Sequence, residues 1–149
     1  MPADALRLER FVPYRLSVLA NRVSRQLARR YEERFGLSIS QWRVVAVLGR
    51  ESPLSAVELA ERTVMDKVTV SRAVAALVGD GRVARSTDRE DRRRSVLRLT
   101  RAGRAVYQRI VPLARAYERE LLGALGRRER QQLDQLLSRL SDRARTLKD

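Results

Sequence analysis

The sequence predicts a mainly α fold with an α+β middle, built from six helices and one small β-hairpin. Three observations carry that prediction. Between Leu54 and Thr100 the chain reads as a short helix, a tight turn, a second helix, a strand, an arginine-dense loop and another strand. Long segments on both sides repeat apolar residues at helical spacing. Glycine, proline and small polar residues fall where those helices need ends.

The elements follow in order. Leu16, Leu19, Val23, Leu27, Tyr31 and Phe35 predict a helix from about Pro13 to Phe35, with Gly36 as its C-cap. Ser38 or Ser40 opens a second helix through Trp42, Val45 and Leu48, which ends near Gly49 and Pro53. Ser55 caps a third over Val57 to Arg62. Asp66 suits the N-cap of a fourth, where a carboxylate meets free N–H groups at the positive helix end. Gly79 and Gly81 stop that helix. Val83 to Ser86 and Ser95 to Leu99 have strand character, with a highly charged loop between them. Together these pieces make the winged form of the helix-turn-helix.

Thr100 caps a long helix striped by Val106, Ile110, Leu113, Tyr117 and Leu121. Pro112 deletes one backbone donor inside it, which predicts a bend. Gly123 and Gly126 break the chain before a last helix carrying Leu133, Leu136, Leu137, Leu140, Ala144 and Leu147. Three regions result: an N-terminal dimerisation helix (1–36), a winged helix-turn-helix DNA-binding module (37–100) and C-terminal dimerisation helices (101–149). Long apolar stripes on both flanks of a small module are expected to meet those of a second copy, giving a homodimer.

Composition narrows the chemistry. The 149 residues make about one domain. With no cysteine there is no disulfide or thiolate, and with no histidine the commonest general base and metal ligand are missing. No glycine-rich phosphate loop or nucleophile–base pair occurs. A glycosidase needs only two carboxylates, but no acidic pair stands apart from the helix surfaces. No enzyme activity, metal or cofactor is expected. The N-terminus lacks the apolar block of a signal peptide, and no run reaches the length of a membrane span. A cytoplasmic, nucleoid-associated protein is expected.

The net charge of +14 attracts polyanions. Only Lys67 and Lys148 are lysine, and GC-rich coding would favour arginine on its own. Coding bias does not explain why acids are outnumbered 32 to 18, nor where the bases cluster.

On the fourth helix, at 100° per residue, Val70, Val74, Leu77 and Val78 cluster as the expected buried side. Val68, Thr69, Arg72, Ala75 and Ala76 lie opposite. Arg72 suits a bidentate contact to guanine or a phosphate clamp, and Thr69 a base or a phosphate. Val68 is an outward apolar residue fit to touch a thymine methyl. Lys67 and Ser71, on the flanks, suit phosphates, and Ser55 joins the DNA-contacting set. In the hairpin, Arg92, Arg93 and Arg94 crowd the loop among Asp88, Glu90 and Asp91. Arginine in a narrow minor groove gains from the strong negative potential there. Asp91 is expected to brace a neighbouring arginine.

At these residues the chain resembles the MarR family of bacterial winged-helix regulators over essentially its whole length. The matching pieces are GLSISQWRVVAVL, LSAVELAERT, MDKVTVSRAVAALVGDGRV and DREDRRRSVLRLTRAG. The Asp-x-Arg signature followed by Leu-Thr-x-x-Gly falls on Asp91, Arg93, Leu99, Thr100 and Gly103. One departure is Val64, where a small residue or glycine is frequent. The resemblance implies a dimer built from first and last helices, bound to a pseudo-palindromic double-stranded operator. It implies a repressor released by a small aromatic or carboxylate effector or its thioester. It makes Arg72 a recognition-helix contact and Arg93 the minor-groove arginine. The lack of cysteine argues against a peroxide-sensing branch. An effector pocket would lie between the dimerisation helices and the winged core, with Tyr14, Arg15, Trp42 and Arg43 as candidates. The alternative function is a constitutive architectural DNA-binding protein without effector.

Overall fold

The computed structural model describes residues 5–147. Six helices and two strands run in the order α1 (Val12–Phe35), α2 (Ile39–Arg50), α3 (Ala56–Thr63), α4 (Lys67–Gly79), β1 (Val83–Thr87), β2 (Ser95–Leu99), α5 (Arg101–Leu122) and α6 (Arg127–Thr146). A 3-10 turn at Leu8–Arg10, not foreseen from the sequence, precedes α1. The chain divides into two compact units, one up to Pro112 and one from Leu113 onward. The division falls on the proline inside α5.

In the first unit the helix ends follow local chemistry. Gly36 closes α1 in the left-handed region at φ 64°. Ser38, rather than Ser40, opens α2 with a capping box: the Gln41 N–H donates to Ser38 Oγ and the Ser38 N–H to Gln41 Oε1, both at 3.2 Å. Each bond satisfies a donor that the helix itself leaves free. Ser55 caps α3 by accepting from the Glu58 N–H at 3.2 Å. Asp66 caps α4 by accepting from the Thr69 N–H at 2.8 Å.

Val64 ends α3 in the left-handed region, at φ 54° and ψ 40°, with its side chain 90% exposed. A β-branched residue is strained there by about 1–2 kcal/mol. Glycine would hold the same turn without that cost.

The core of this unit includes Tyr31, Leu37, Val44, Leu48, Leu59 and Leu97. Helix α4 adds Val70, Ala73, Val74 and Leu77. Val78, expected inside, is 38% exposed, and Ala73 takes its place. The four buried residues centre on one line of the helix, and Val78 lies about 90° from it.

The hairpin is antiparallel, pairing Val83 with Leu99, Arg85 with Leu97 and Thr87 with Ser95. Only Val83 of β1 is buried, whereas Val96, Leu97 and Leu99 of β2 are. β1 therefore leaves the core beyond Ala84, whereas β2 keeps to it as far out as Val96, and the loop past Ser95 projects beyond it. Leu54 pairs with Leu97 through two backbone bonds, Leu54 N–H to Leu97 O at 3.1 Å and Leu97 N–H to Leu54 O at 2.7 Å. Thr100 joins the ribbon to α5: its hydroxyl donates to Gly81 O at 2.6 Å and accepts from the Gly103 N–H at 3.0 Å. A Cβ on Gly103 would stand 1.9 Å from the Arg82 carbonyl oxygen, so only glycine fits this contact.

In the second unit, α6 has no buried residue. Leu136, Leu137 and Leu140 are each about half exposed, and Leu133 is intermediate. Among the described residues no helix is long and apolar enough to cross a membrane.

Candidate nucleic-acid interface

The interface begins with α4, whose inner face is filled by its own chain. Its outer face presents Lys67, Val68, Ser71, Arg72 and Ala75 to solvent, with Thr69 and Ala76 half-buried. Val68 is 60% exposed, a large apolar side chain turned outward. Arg72 lines a shallow notch of about 240 Å³ together with Ser38, Ser40 and Gln41 from the start of α2.

Thr69 is more constrained than its sequence suggested. Its hydroxyl donates to Asp66 Oδ2 at 2.8 Å, while its backbone N–H donates to Asp66 Oδ1. These two bonds hold the Asp66 carboxyl below the usual aspartate value. With its only hydrogen so placed, the Thr69 hydroxyl offers acceptor lone pairs outward. It suits the amino group of adenine or cytosine. A phosphate would require it to release Asp66.

The wing tip is closed by backbone geometry. The Asp88 N–H donates to Arg94 O at 2.8 Å, and the Arg94 N–H to Asp91 O at 3.0 Å. The Asp88 carboxylate accepts from the Glu90 N–H, and that of Asp91 from the Arg93 N–H, each at 3.0 Å. Asp91 thus braces the backbone of Arg93 rather than a guanidinium. Asp88 and Asp91 serve the turn, and Arg92 and Arg93 have no acidic partner among the described residues. Arg94 differs: its guanidinium pairs with Glu58 of α3. Ser55 also turns inward, donating from its hydroxyl to Glu58 Oε1 at 3.2 Å besides capping α3.

Among the described residues, Tyr14 and Arg15 lie apart from Arg43 along α1. Tyr14 and Arg15 line a groove of about 490 Å³ along the start of α1, with Val12, Leu16 and Leu19. Arg43 donates to Ser24 Oγ at 3.4 Å, roughly 13 Å farther along α1 than Arg15. The Trp42 ring is tilted 46° against that of Tyr31, with centroids 5.0 Å apart. Sequence reasoning placed Tyr31 only in an apolar stripe. Its hydroxyl is buried without a hydrogen-bond partner, and burial raises its pKa against the opposing pull of Arg30. Such an orphan costs free energy until something satisfies it.

Three other working residues escaped the sequence reading. Asp66 was recognised as a cap, but not as the partner of the Thr69 hydroxyl. The Ser55-x-x-Glu58 spacing is a readable capping signature, yet Arg94 lies too distant in sequence to be paired with it. Arg82 donates to the Phe35 carbonyl at 2.8 Å, tying the end of α1 to the root of the wing. Nothing local announces a partner 47 positions away.

Comparison with known proteins agrees with this geometry. A sequence model of the MarR family matches residues 35–94. The transcriptional activatory protein BadR of Rhodopseudomonas palustris is 31% identical over 126 residues, 81% of this chain and 71% of BadR. The crystal structure of a MarR/EmrR family regulator from Acinetobacter sp. ADP1 superposes with a TM-score of 0.87 at 26% identity, covering 95% of this chain and all of that one. BpsR of Bordetella bronchiseptica, whose DNA binding is regulated by 6-hydroxynicotinic acid, gives a TM-score of 0.82 at 26% identity over 93% of this chain and 98% of its own. The motifs, the fold and these relatives agree: the chain belongs to the MarR family of winged-helix transcriptional regulators, which bind DNA and are not enzymes.

Proposed function

We propose that the chain is a sequence-specific repressor acting in the cytoplasm as a homodimer on a pseudo-palindromic operator, and released by a small aromatic acid or its thioester. The observation that carries this reading is the outer face of α4. Val68 and Arg72 stand exposed on a helix whose opposite face is fully packed, beside a projecting arginine ribbon. Arg72, Thr69 and Val68 read bases in the major groove. Lys67 and Ser71 meet phosphates, Ser55 and Arg94 flank them, and Arg92 and Arg93 enter the adjoining minor groove.

Exposed apolar stripes support the homodimer. Leu136, Leu137 and Leu140 in α6, and Leu16 and Leu19 in α1, are more exposed than a lone folded chain needs. Two-fold symmetry sets half-site centres about 10 bp apart. The sign of regulation depends on where the operator lies relative to the promoter. BadR is named as an activator, and repression here is the simpler outcome of occupying a promoter.

The effector reading rests on Tyr31, Trp42 and Arg43, which combine aromatic rings, a guanidinium and an unsatisfied hydroxyl. BpsR responds to an acid of that class. An effector acts only if it binds the DNA-competent and DNA-incompetent conformers differently. Arg82 provides a route, since displacement of the α1 end bears on the wing root through one hydrogen bond.

Selection of bound duplexes from a random pool, with and without aromatic acids, tests the proposal. Enrichment of one inverted repeat, reversed by an acid, is the expected result. Uniform coverage of all sequences would instead favour the architectural alternative.

A further inference from the structure

We propose that Glu58 is a positioning residue for the wing: by holding Arg94 it fixes the angle at which Arg92 and Arg93 meet DNA. The inference rests on the hairpin being a DNA contact. Among the described residues, the two strands bond through their backbone to the rest of the unit at one place, Leu54 with Leu97. Outward of that point Val96 still packs inward, but Ser86 and Thr87 on β1 and Ser95 on β2 are exposed. A two-stranded ribbon in water is marginal and twists strongly, so one attachment leaves its direction loose.

Arg94 lies three residues outward from Leu97, about 10 Å along the strand. There its guanidinium meets Glu58 Oε1. Two attachments that far apart define a direction where one does not. The Glu58 carboxylate is itself held, because the Ser55 hydroxyl donates to the same oxygen while capping α3. The ion pair therefore ends on the rigid first turn of the helix-turn-helix, and the wing is indexed to the element that positions α4. A carboxylate beside a DNA-facing surface repels phosphates unless it is neutralised, and Arg94 neutralises Glu58. That guanidinium is in turn withdrawn from the phosphate contacts.

The test is a double-mutant cycle on the full chain, read by fluorescence anisotropy on a duplex selected by the wild-type protein and on a random-sequence duplex. Glu58→Gln keeps the Ser55 cap on its backbone N–H and an oxygen that can accept from the Ser55 hydroxyl, and thermal melts establish that each variant is folded. Glu58→Gln and Arg94→Gln should each weaken selected-duplex binding about five- to tenfold, and the double variant should lose no more than either alone. The selected-to-random ratio should fall while the salt slope stays at its wild-type value, and Arg94→Lys should remain within about twofold. The proposal is overturned if Arg94→Gln costs the same in both backgrounds and lowers the salt slope by about 0.9, the signature of a phosphate contact. A wild-type chain that enriches no sequence at all removes the reading of the hairpin and this proposal together, a result distinct from an uncoupled cycle.

Discussion

Helix α4 buries Val70, Ala73, Val74 and Leu77 within its own chain, whereas the 20 residues of α6 include none that is buried. Both helices carry apolar residues at three- and four-residue spacing, and from sequence the two stripes look alike. The difference lies in what faces them. Helix α4 packs among α2, α3 and the wing root. Its inner stripe is satisfied, and its outer face is left for a ligand. The α6 stripe meets water in a single chain, and in the proposed homodimer its leucines would find burial against another copy. In the proposed function the packed helix and the unpacked flank divide the work: the first would read a half-site, and the second would bring two readers together.

Charging the unpacked stripe breaks this comparison most severely. Leu136→Asp with Leu140→Asp should leave a folded protomer, seen by circular dichroism, but should dissociate the dimer and cut affinity for the selected duplex about 100-fold, because the second half-site no longer binds as part of the same particle. A double variant that keeps its dimer mass places the interface elsewhere. Truncation in the packed stripe should do the reverse. Leu77→Ala should cost about 2–5 kcal/mol in denaturant unfolding, while a loss below about 1 kcal/mol would mean that this face is not core.

The outer face of α4 comes next. Arg72→Ala should lose about 1–3 kcal/mol on the selected duplex and clearly less on random DNA. Equal losses would make Arg72 a backbone contact. A smaller effect of opposite sign is expected in the turn before α4. Val64→Gly relieves a left-handed valine and should raise unfolding stability by about 1 kcal/mol, with DNA affinity little changed.

The smallest effect concerns acid. The Asp66 carboxyl is held below its usual value of 3.8 by its bonds from Thr69. A depressed carboxylate stabilises the fold fully above that value, and the contribution fades as pH falls through the depressed one. Asp66→Asn keeps a good cap without a titrating group, so it should flatten that part of the acid-unfolding curve.

Much of the scaffold was legible because helix ends are local. Gly36, Ser55 and Asp66 act within four residues of themselves, and the structure finds each at the end assigned to it. The strand starts at Val83 and Ser95 and the end at Leu99 were legible for the same reason, while β1 runs one residue past the expected Ser86, to Thr87, which pairs with Ser95. Long-range pairings were not. Glu58 with Arg94, Leu54 with Leu97, and Arg82 with Phe35 join residues whose chemistry names no partner in particular. Periodicity also misjudged the rim of a helix: Val78 belongs to the α4 stripe by type but lies past the edge of what covers it. Among the candidate site residues, Ser55, Thr69 and Arg94 each direct a polar group to a carboxylate of their own unit, a pairing that residue type alone does not announce.

The account turns on two chains placing two α4 faces on one duplex, and the mass of the complex addresses that most directly. Sedimentation of the selected duplex with excess protein at micromolar concentration should give one duplex carrying two 17.1 kDa chains, and protein alone should sediment as the pair. A lone chain in solution, or a complex with a single chain on the duplex, would contradict it.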